Sequence, residues 1–180
     1  MRMTRRFLLS GGTLTAAVAA VGGWRLLADN LANAASTASA AKPGAPAPQT
    51  FAVTLTDAQW RARLTPAQYD VLRREGTERP YSSPLNNEHR KGVFACAGCA
   101  LDLFSSNTKF DSGTGWPSFW APLADAVGTT SDRTFGMLRT AVHCHRCGGH
   151  LGHVFDDGPK PTGLRYCMNG VAMTFRPASA

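Results

Sequence analysis

Five cysteines fall into two chemical classes by their spacing. Cys96-Ala97-Gly98-Cys99 and Cys144-His145-Arg146-Cys147 are two Cys-x-x-Cys pairs with 44 residues between them, and Cys167 stands alone. Two such pairs supply the four thiolates of a tetrahedral zinc site. A site closed by four sulfurs leaves zinc no open position, so the expectation is one structural zinc per chain, held by Cys96, Cys99, Cys144 and Cys147. Gly98, Gly148 and Gly149 let main-chain amides turn toward sulfur. The competing reading is disulfides, which an exported protein would permit. Turn-like pairs of this kind suit a metal better than a strained local disulfide. A thioredoxin-type redox pair is disfavoured, because neither pair opens a helix after a strand.

The fifth sulfur lies in Arg165-Tyr166-Cys167-Met168-Asn169. If this segment is a strand, Arg165, Cys167 and Asn169 share one face and Tyr166 and Met168 the other. An arginine beside a thiol favours the thiolate, so a value below the ordinary ~8.5 is expected. His150 and His153, in Gly149-His150-Leu151-Gly152-His153-Val154-Phe155, are placed to meet the sulfur across a sheet as acid or positioning groups. Gly115-Trp116-Pro117-Ser118-Phe119 offers an aromatic wall for an apolar group. The plainer alternative is that Cys167 is an inert core residue, the histidines support a metal knuckle and Trp116 is core.

These groups need a frame. Thr56-Asp57-Ala58-Gln59 and Thr65-Pro66-Ala67-Gln68 each read as a capping box opening a short helix, with Trp60 and Leu64 on one face of the first. The second helix is expected to reach about Arg74, with Gly76 as its stop. Helical periodicity then ends. Gly92–Ala95, Met137–His143, His153–Asp156, Gly163–Asn169 and Val171–Arg176 read as strands between Gly, Pro and Asp turns. The fold class is mainly β and antiparallel, with helices at its N-terminal end.

The chain opens on Arg5-Arg6 followed by an apolar, Ala- and Gly-rich stretch to about Trp24, then Ala-x-Ala triplets such as Ala32-Asn33-Ala34. This is the layout of a cleavable export signal of the twin-arginine type, assigned to residues 1–34. An uncleaved membrane anchor is the alternative. Residues 35–50 read as a flexible linker, and residues 51–180 as the folded domain. Residues 1–50 hold +4 of the +7 net charge. The high pI is therefore weak support for nucleic-acid binding, and none is expected.

The longer motifs point to a family. Gly113-Thr114-Gly115-Trp116-Pro117-Ser118-Phe119, the run from Cys147 through His150, His153 and Phe155 to Pro159, and Arg165-Tyr166-Cys167-Met168-Asn169 closely resemble the peptide-methionine (R)-S-oxide reductases, the B type of methionine sulfoxide reductase. The resemblance covers about Thr56 to Phe175. It implies two small antiparallel sheets, barrel-like, with a structural zinc, and methionine-R-sulfoxide as substrate. It implies that Cys167 is the nucleophile, surrounded by His150, His153, Arg165 and Asn169. Trp116 matches the ring that packs on the substrate's methyl group, and Phe155 is the second expected substrate contact. Oxidised proteins and a thioredoxin-like dithiol are the implied partners of a monomer, here in the periplasm.

Two departures stand out. Many members carry a resolving cysteine two residues before the tryptophan, where this chain has Thr114. With four sulfurs on metal, no internal thiol remains to attack an oxidised Cys167, so direct reduction by an external dithiol is expected. Gly170 replaces the usual serine and Met168 a common valine, substitutions expected to loosen the strand. Two other readings compete: a zinc-ribbon adaptor without chemistry, and a cysteine hydrolase. The adaptor leaves the Arg165/Cys167/Asn169 face unexplained. The hydrolase lacks a strand-turn-helix elbow to supply an oxyanion hole.

Overall fold

The computed structural model describes residues 50–179. The expected leader at 1–34, and the linker apart from Thr50, lie outside the described residues. Both expected helices form. Helix α1 spans Asp57–Arg63 and α2 spans Pro66–Arg74, each opened by a reciprocal capping box: Thr56 with Gln59, and Thr65 with Gln68. Each box satisfies main-chain donors that a helix start leaves orphaned. Helix α2 does not stop on Gly76. Glu75 takes the left-handed conformation at φ 58°, and the Gly76 amide returns to the Asp70 carbonyl. A Cβ at position 76 would displace the exposed Asp70 carboxylate.

The remainder is two antiparallel sheets. Strands β1 (Gly92–Cys96), β2 (Asp102–Ser105) and β9 (Met173–Pro177) form the first, in the order β2-β1-β9. The second has six strands in the order β3-β4-β8-β7-β6-β5, from β3 (Lys109–Phe110), β4 (Ser118–Phe119), β5 (Val127–Asp132), β6 (Arg139–Cys144), β7 (His150–Phe155) and β8 (Arg165–Met168). Several expected bounds shift. Strand β6 begins at Arg139, because a 3-10 turn occupies Thr134–Gly136 and leaves Met137 and Leu138 exposed. Strand β7 begins three residues earlier than expected, and β8 is confined to Arg165–Met168. The last strand begins at Met173, after another 3-10 turn at Gly170–Ala172.

Aromatic packing joins the sheets. Phe119 of the six-stranded sheet stacks on Phe104 at 4.4 Å between ring centres and meets Phe94 edge-on at 4.9 Å. Phe94 and Phe104 come from the three-stranded sheet, and Tyr166 of β8 packs on Phe104 as well. Phe94, Phe104, Phe119 and Met168 are fully buried. Met168 therefore anchors β8 in the core and does not loosen it. The residues of β8 that face away from the core are the ones the sequence sets aside for chemistry.

Truncating the ring that joins the sheets removes buried surface and leaves a cavity. Phe119→Ala is expected to lower unfolding free energy by about 3–5 kcal/mol in urea titration.

Candidate active site

The position of Cys167 is set by strand pairing. It lies opposite Ser118 of β4 on one side and His153 of β7 on the other. Residues directly across an antiparallel pair share a face, so three polar side chains are brought together by register alone. Phe155 lies opposite Arg165 in the same ladder, and the guanidinium sits over its ring at 4.4 Å. Arg165 is held by two bonds to Asp157, both 2.8 Å.

A cleft of about 210 Å³ opens on this face, lined by Thr77, Trp116, Arg139, Gly152, His153, Phe155, Cys167 and Asn169. A larger groove of about 480 Å³ lies between α2 and residues 170–174, but neither cysteine nor histidine lines it. The smaller cleft is the one with a nucleophile. Gly152 is required there, because a Cβ would strike the Cys167 carbonyl.

The cleft separates the expected residues. Cys167, His153, Trp116, Phe155 and Asn169 line it together. His150 does not. It is buried behind, edge-on to His153 at 5.4 Å, in a second cavity with His143 and Phe51. Its Nε2 has no partner, and burial pushes its pKa down to about 4. Asn169 reaches the cleft with its side chain already engaged: Oδ1 accepts from the Glu78 amide at 3.0 Å and Nδ2 donates to the Leu151 carbonyl at 3.0 Å. It fixes the end of β8, and one of its two amide hydrogens remains beyond the Leu151 bond.

Three features were missed in the sequence. Asp132 Oδ2 bonds His153 Nε2 at 2.8 Å and Arg139 at 2.7 Å, while Oδ1 accepts from the Thr134 amide and hydroxyl. The Thr134 bonds first, and His153 after them, hold this carboxyl well below the usual range. Nothing in Ser131-Asp132-Arg133-Thr134 marks it beyond a turn, because its partner lies two strands away. Glu78 braces the cleft from outside: its carbonyl accepts from Trp116 Nε1 at 3.1 Å, and its carboxylate from the Gly170 and Val171 amides. Thr114 places its hydroxyl 3.8 Å from Cys167 Sγ. The expected loosening at Gly170 is not found either. The space a Cβ would take there is filled by the Ser83 hydroxyl.

The expected lowering of the Cys167 pKa is overturned. Its net direction is upward, with burial the largest cause, and Thr114, Arg165 and Ser118 oppose it. The arginine is present, but it is shared with Asp157 while the sulfur is largely removed from water.

The four remaining sulfurs fit a metal. All lie within 4.8 Å of one another and all four residues are buried. Cys96 and Cys147 are 3.7 Å apart and Cys99 and Cys144 3.5 Å, far beyond a disulfide bond and close to the ~3.8 Å edge of a tetrahedron with 2.3 Å metal–sulfur bonds. Four thiolates brought this close would repel one another unless a cation lay between them. The Trp60 ring and Leu72 cover the knuckles, and Arg73 donates to the Cys147 carbonyl at 3.1 Å.

A SelR-domain family model matches residues 64–177. The chain belongs to the SelR-domain family. It is similar to proteins named peptide methionine sulfoxide reductase MsrB from Agrobacterium fabrum, Pseudomonas putida strain W619 and Methanosarcina barkeri. Identity is 56% over 126 residues, 58% over 120 and 53% over 126, in that order. These alignments cover 69%, 66% and 69% of this chain and 93%, 90% and 89% of the relatives. The SelR-domain match spans every element from the end of α1 to β9, including both cysteine pairs and Cys167.

Two outcomes follow for this SelR domain. Metal analysis is expected to give one ion per chain, and a strong chelator to lower the melting temperature and expose four further thiols to alkylation. His150 is a base whose folded value lies below its unfolded ~6.5, so the unfolded chain takes up the proton first as pH falls. Stability is therefore expected to drop by up to about 3 kcal/mol between pH ~6.5 and ~4. His150→Leu should flatten that part of the profile in denaturant titrations.

Proposed function

We propose that this protein reduces methionine-R-sulfoxide, in proteins or free, to methionine, with Cys167 as the nucleophile. The observation that carries the reading is the cleft in which Cys167 and His153 lie directly opposite each other across one strand pair beneath Trp116. Membership of the SelR-domain family and the names of its relatives support it.

The chemistry runs in two steps. The Cys167 thiolate attacks the sulfoxide sulfur while His153 delivers a proton to its oxygen. The hydroxyl then passes to the Cys167 sulfur as the new S–S bond and the methionine S–O bond break, so methionine leaves, Cys167 becomes a sulfenic acid, and the substrate sulfur gains the two electrons that the cysteine sulfur loses. An external dithiol then supplies two electrons and two protons, releasing water and restoring the thiol as it becomes a disulfide. Asp132 suits the acid role of His153, since a carboxylate at 2.8 Å from Nε2 fixes the orientation of the ring. Trp116 is held by the Glu78 carbonyl and presents its ring to the methyl end of the substrate. Phe155 lines the cleft as well, with the Arg165 guanidinium stacked on its ring. A small chiral cleft of this kind selects one sulfoxide epimer.

The metal reading is zinc, supported by four thiolates in tetrahedral array. When bound it supplies no chemistry at Cys167; it clamps the ends of β1 and β6, one from each sheet. Thr114 in place of a resolving cysteine supports direct reduction by a thioredoxin-like partner. The twin-arginine leader supports export to the periplasm of a monomer already folded around its metal. On that route zinc is loaded before the thiols meet an oxidising compartment.

The test is a reduction assay on the separate R and S epimers of a methionine-sulfoxide peptide with dithiothreitol, followed by mass spectrometry. Reduction of the R epimer alone is expected. It should be lost in Cys167→Ser and lowered about 10²–10⁴-fold in His153→Asn. Equal turnover of both epimers, or an active Cys167→Ser protein, overturns the reading.

A further inference from the structure

The resting cleft holds a thiol that burial pushes toward its neutral form, yet the proposed reaction needs a thiolate. Arg165 is part of the answer, but Asp157 already claims it. The side chains closest to the sulfur on its other flank are hydroxyls. Thr114 Oγ1 lies 3.8 Å from Cys167 Sγ, Ser112 Oγ lies 2.8 Å from Thr114 Oγ1, and Ser118 Oγ lies 2.7 Å from Ser112 Oγ. Ser118 also donates to the Trp116 carbonyl at 3.2 Å and is fully buried.

The turn that carries Thr114 is built to hold it still. Gly113 and Gly115 flank it at φ 69° and 91°, conformations that favour glycine. Both their carbonyls accept from Tyr81, Gly113 from the phenol at 2.7 Å and Gly115 from the amide at 2.7 Å. The Gly113 amide is capped by the Asp111 carboxylate at 3.0 Å. The Thr114 amide is held by the Ser112 hydroxyl at 3.4 Å, so the turn is tied on both sides of the threonine.

We propose that Ser118, Ser112 and Thr114 form a reversible hydroxyl chain that donates to the Cys167 thiolate. Each hydroxyl has one proton to donate and lone pairs to accept with. With the sulfur protonated, the S–H donates to Thr114, Thr114 to Ser112, Ser112 to Ser118 and Ser118 to the Trp116 carbonyl. Every donor has an acceptor. When the thiol ionises, the three hydroxyls rotate, so that Ser118 donates to Ser112, Ser112 to Thr114 and Thr114 to the sulfur. The cost is one bond to the Trp116 carbonyl; the gain is a charge-assisted bond in a water-poor site, strengthened by the two hydroxyls behind it. No bond other than S–H breaks, and its proton leaves to solvent or to a base in the cleft. Thr114 touches the reacting atom, Ser112 acts through it, and Ser118 acts both through this chain and directly from its place opposite Cys167.

The inference rests on Cys167 being the working thiol, but its test does not need turnover. The full chain is alkylated with iodoacetamide across a pH series, and the Cys167 peptide is quantified by mass spectrometry. Thr114→Val keeps the shape and removes the hydroxyl. It is expected to shift the titration upward and cut thiolate at neutral pH by about three- to tenfold. Thr114→Ser should restore the wild-type curve, and Ser112→Ala should give a smaller shift in the same direction. Unchanged titration in Thr114→Val overturns the chain, as does Thr114→Ser behaving like Thr114→Val, since packing would then be the cause. A protein that titrates as described yet reduces neither sulfoxide epimer keeps the hydroxyl chain and removes the reductase reading.

Discussion

Strand register is the constraint on which the site depends. Cys167 lies between Ser118 and His153, one residue from each neighbouring strand, and all three point away from the core. Side chains in a strand alternate, so a slip of one residue would bury the nucleophile and expose Tyr166 and Met168. The core prevents that slip: Met168 is fully buried and Tyr166 packs on Phe104. The apolar half of β8 thus fixes the position of its polar half, and the aromatic contacts between the sheets act on the chemistry from a distance.

The second layer works through hydrogen bonds. Glu78 ties Trp116 to the turn after β8, and Asp132 ties His153 to Arg139. Neither carboxylate lines the cleft, yet each sets where a lining residue stands. Buried polar groups are costly unless paired, and paired ones are rigid, which suits a site that must hold a small chiral substrate in one orientation. The four-sulfur site adds a clamp between the two sheets at the far ends of β1 and β6.

Much of this was legible in the sequence, for physical reasons. Helix starts are local, so both capping boxes could be read from four residues each. Cysteine pairs are also local, and their grouping in space follows from what four thiolates require. The face carrying Cys167 followed from strand alternation. What could not be read was long-range. Strands β2 to β5 are short or polar and owe their existence to pairing partners. Asp132, at the end of β5, and Glu78, in a loop, are ordinary in the sequence until the fold brings His153 and Trp116 to them. His150 looked equivalent to His153, and a register shift at the start of β7 does bring it to the same face, opposite His143, but there it is buried in the neighbouring cavity beside Phe51 and does not line the cleft. The direction of the Cys167 pKa was misjudged because the sequence shows the arginine and hides the burial.

The central claim is that the sulfur opposite His153 takes the oxygen from the substrate and has no internal partner to pass it to. A single turnover without reductant tests this most directly. The full chain is mixed with one equivalent of a methionine-R-sulfoxide peptide, quenched with dimedone, and its mass and modified peptide are read. The account predicts one methionine formed per chain and a dimedone adduct on Cys167 alone. A disulfide joining Cys167 to Cys96, Cys99, Cys144 or Cys147, or methionine formed with Cys167 unmodified, would contradict it.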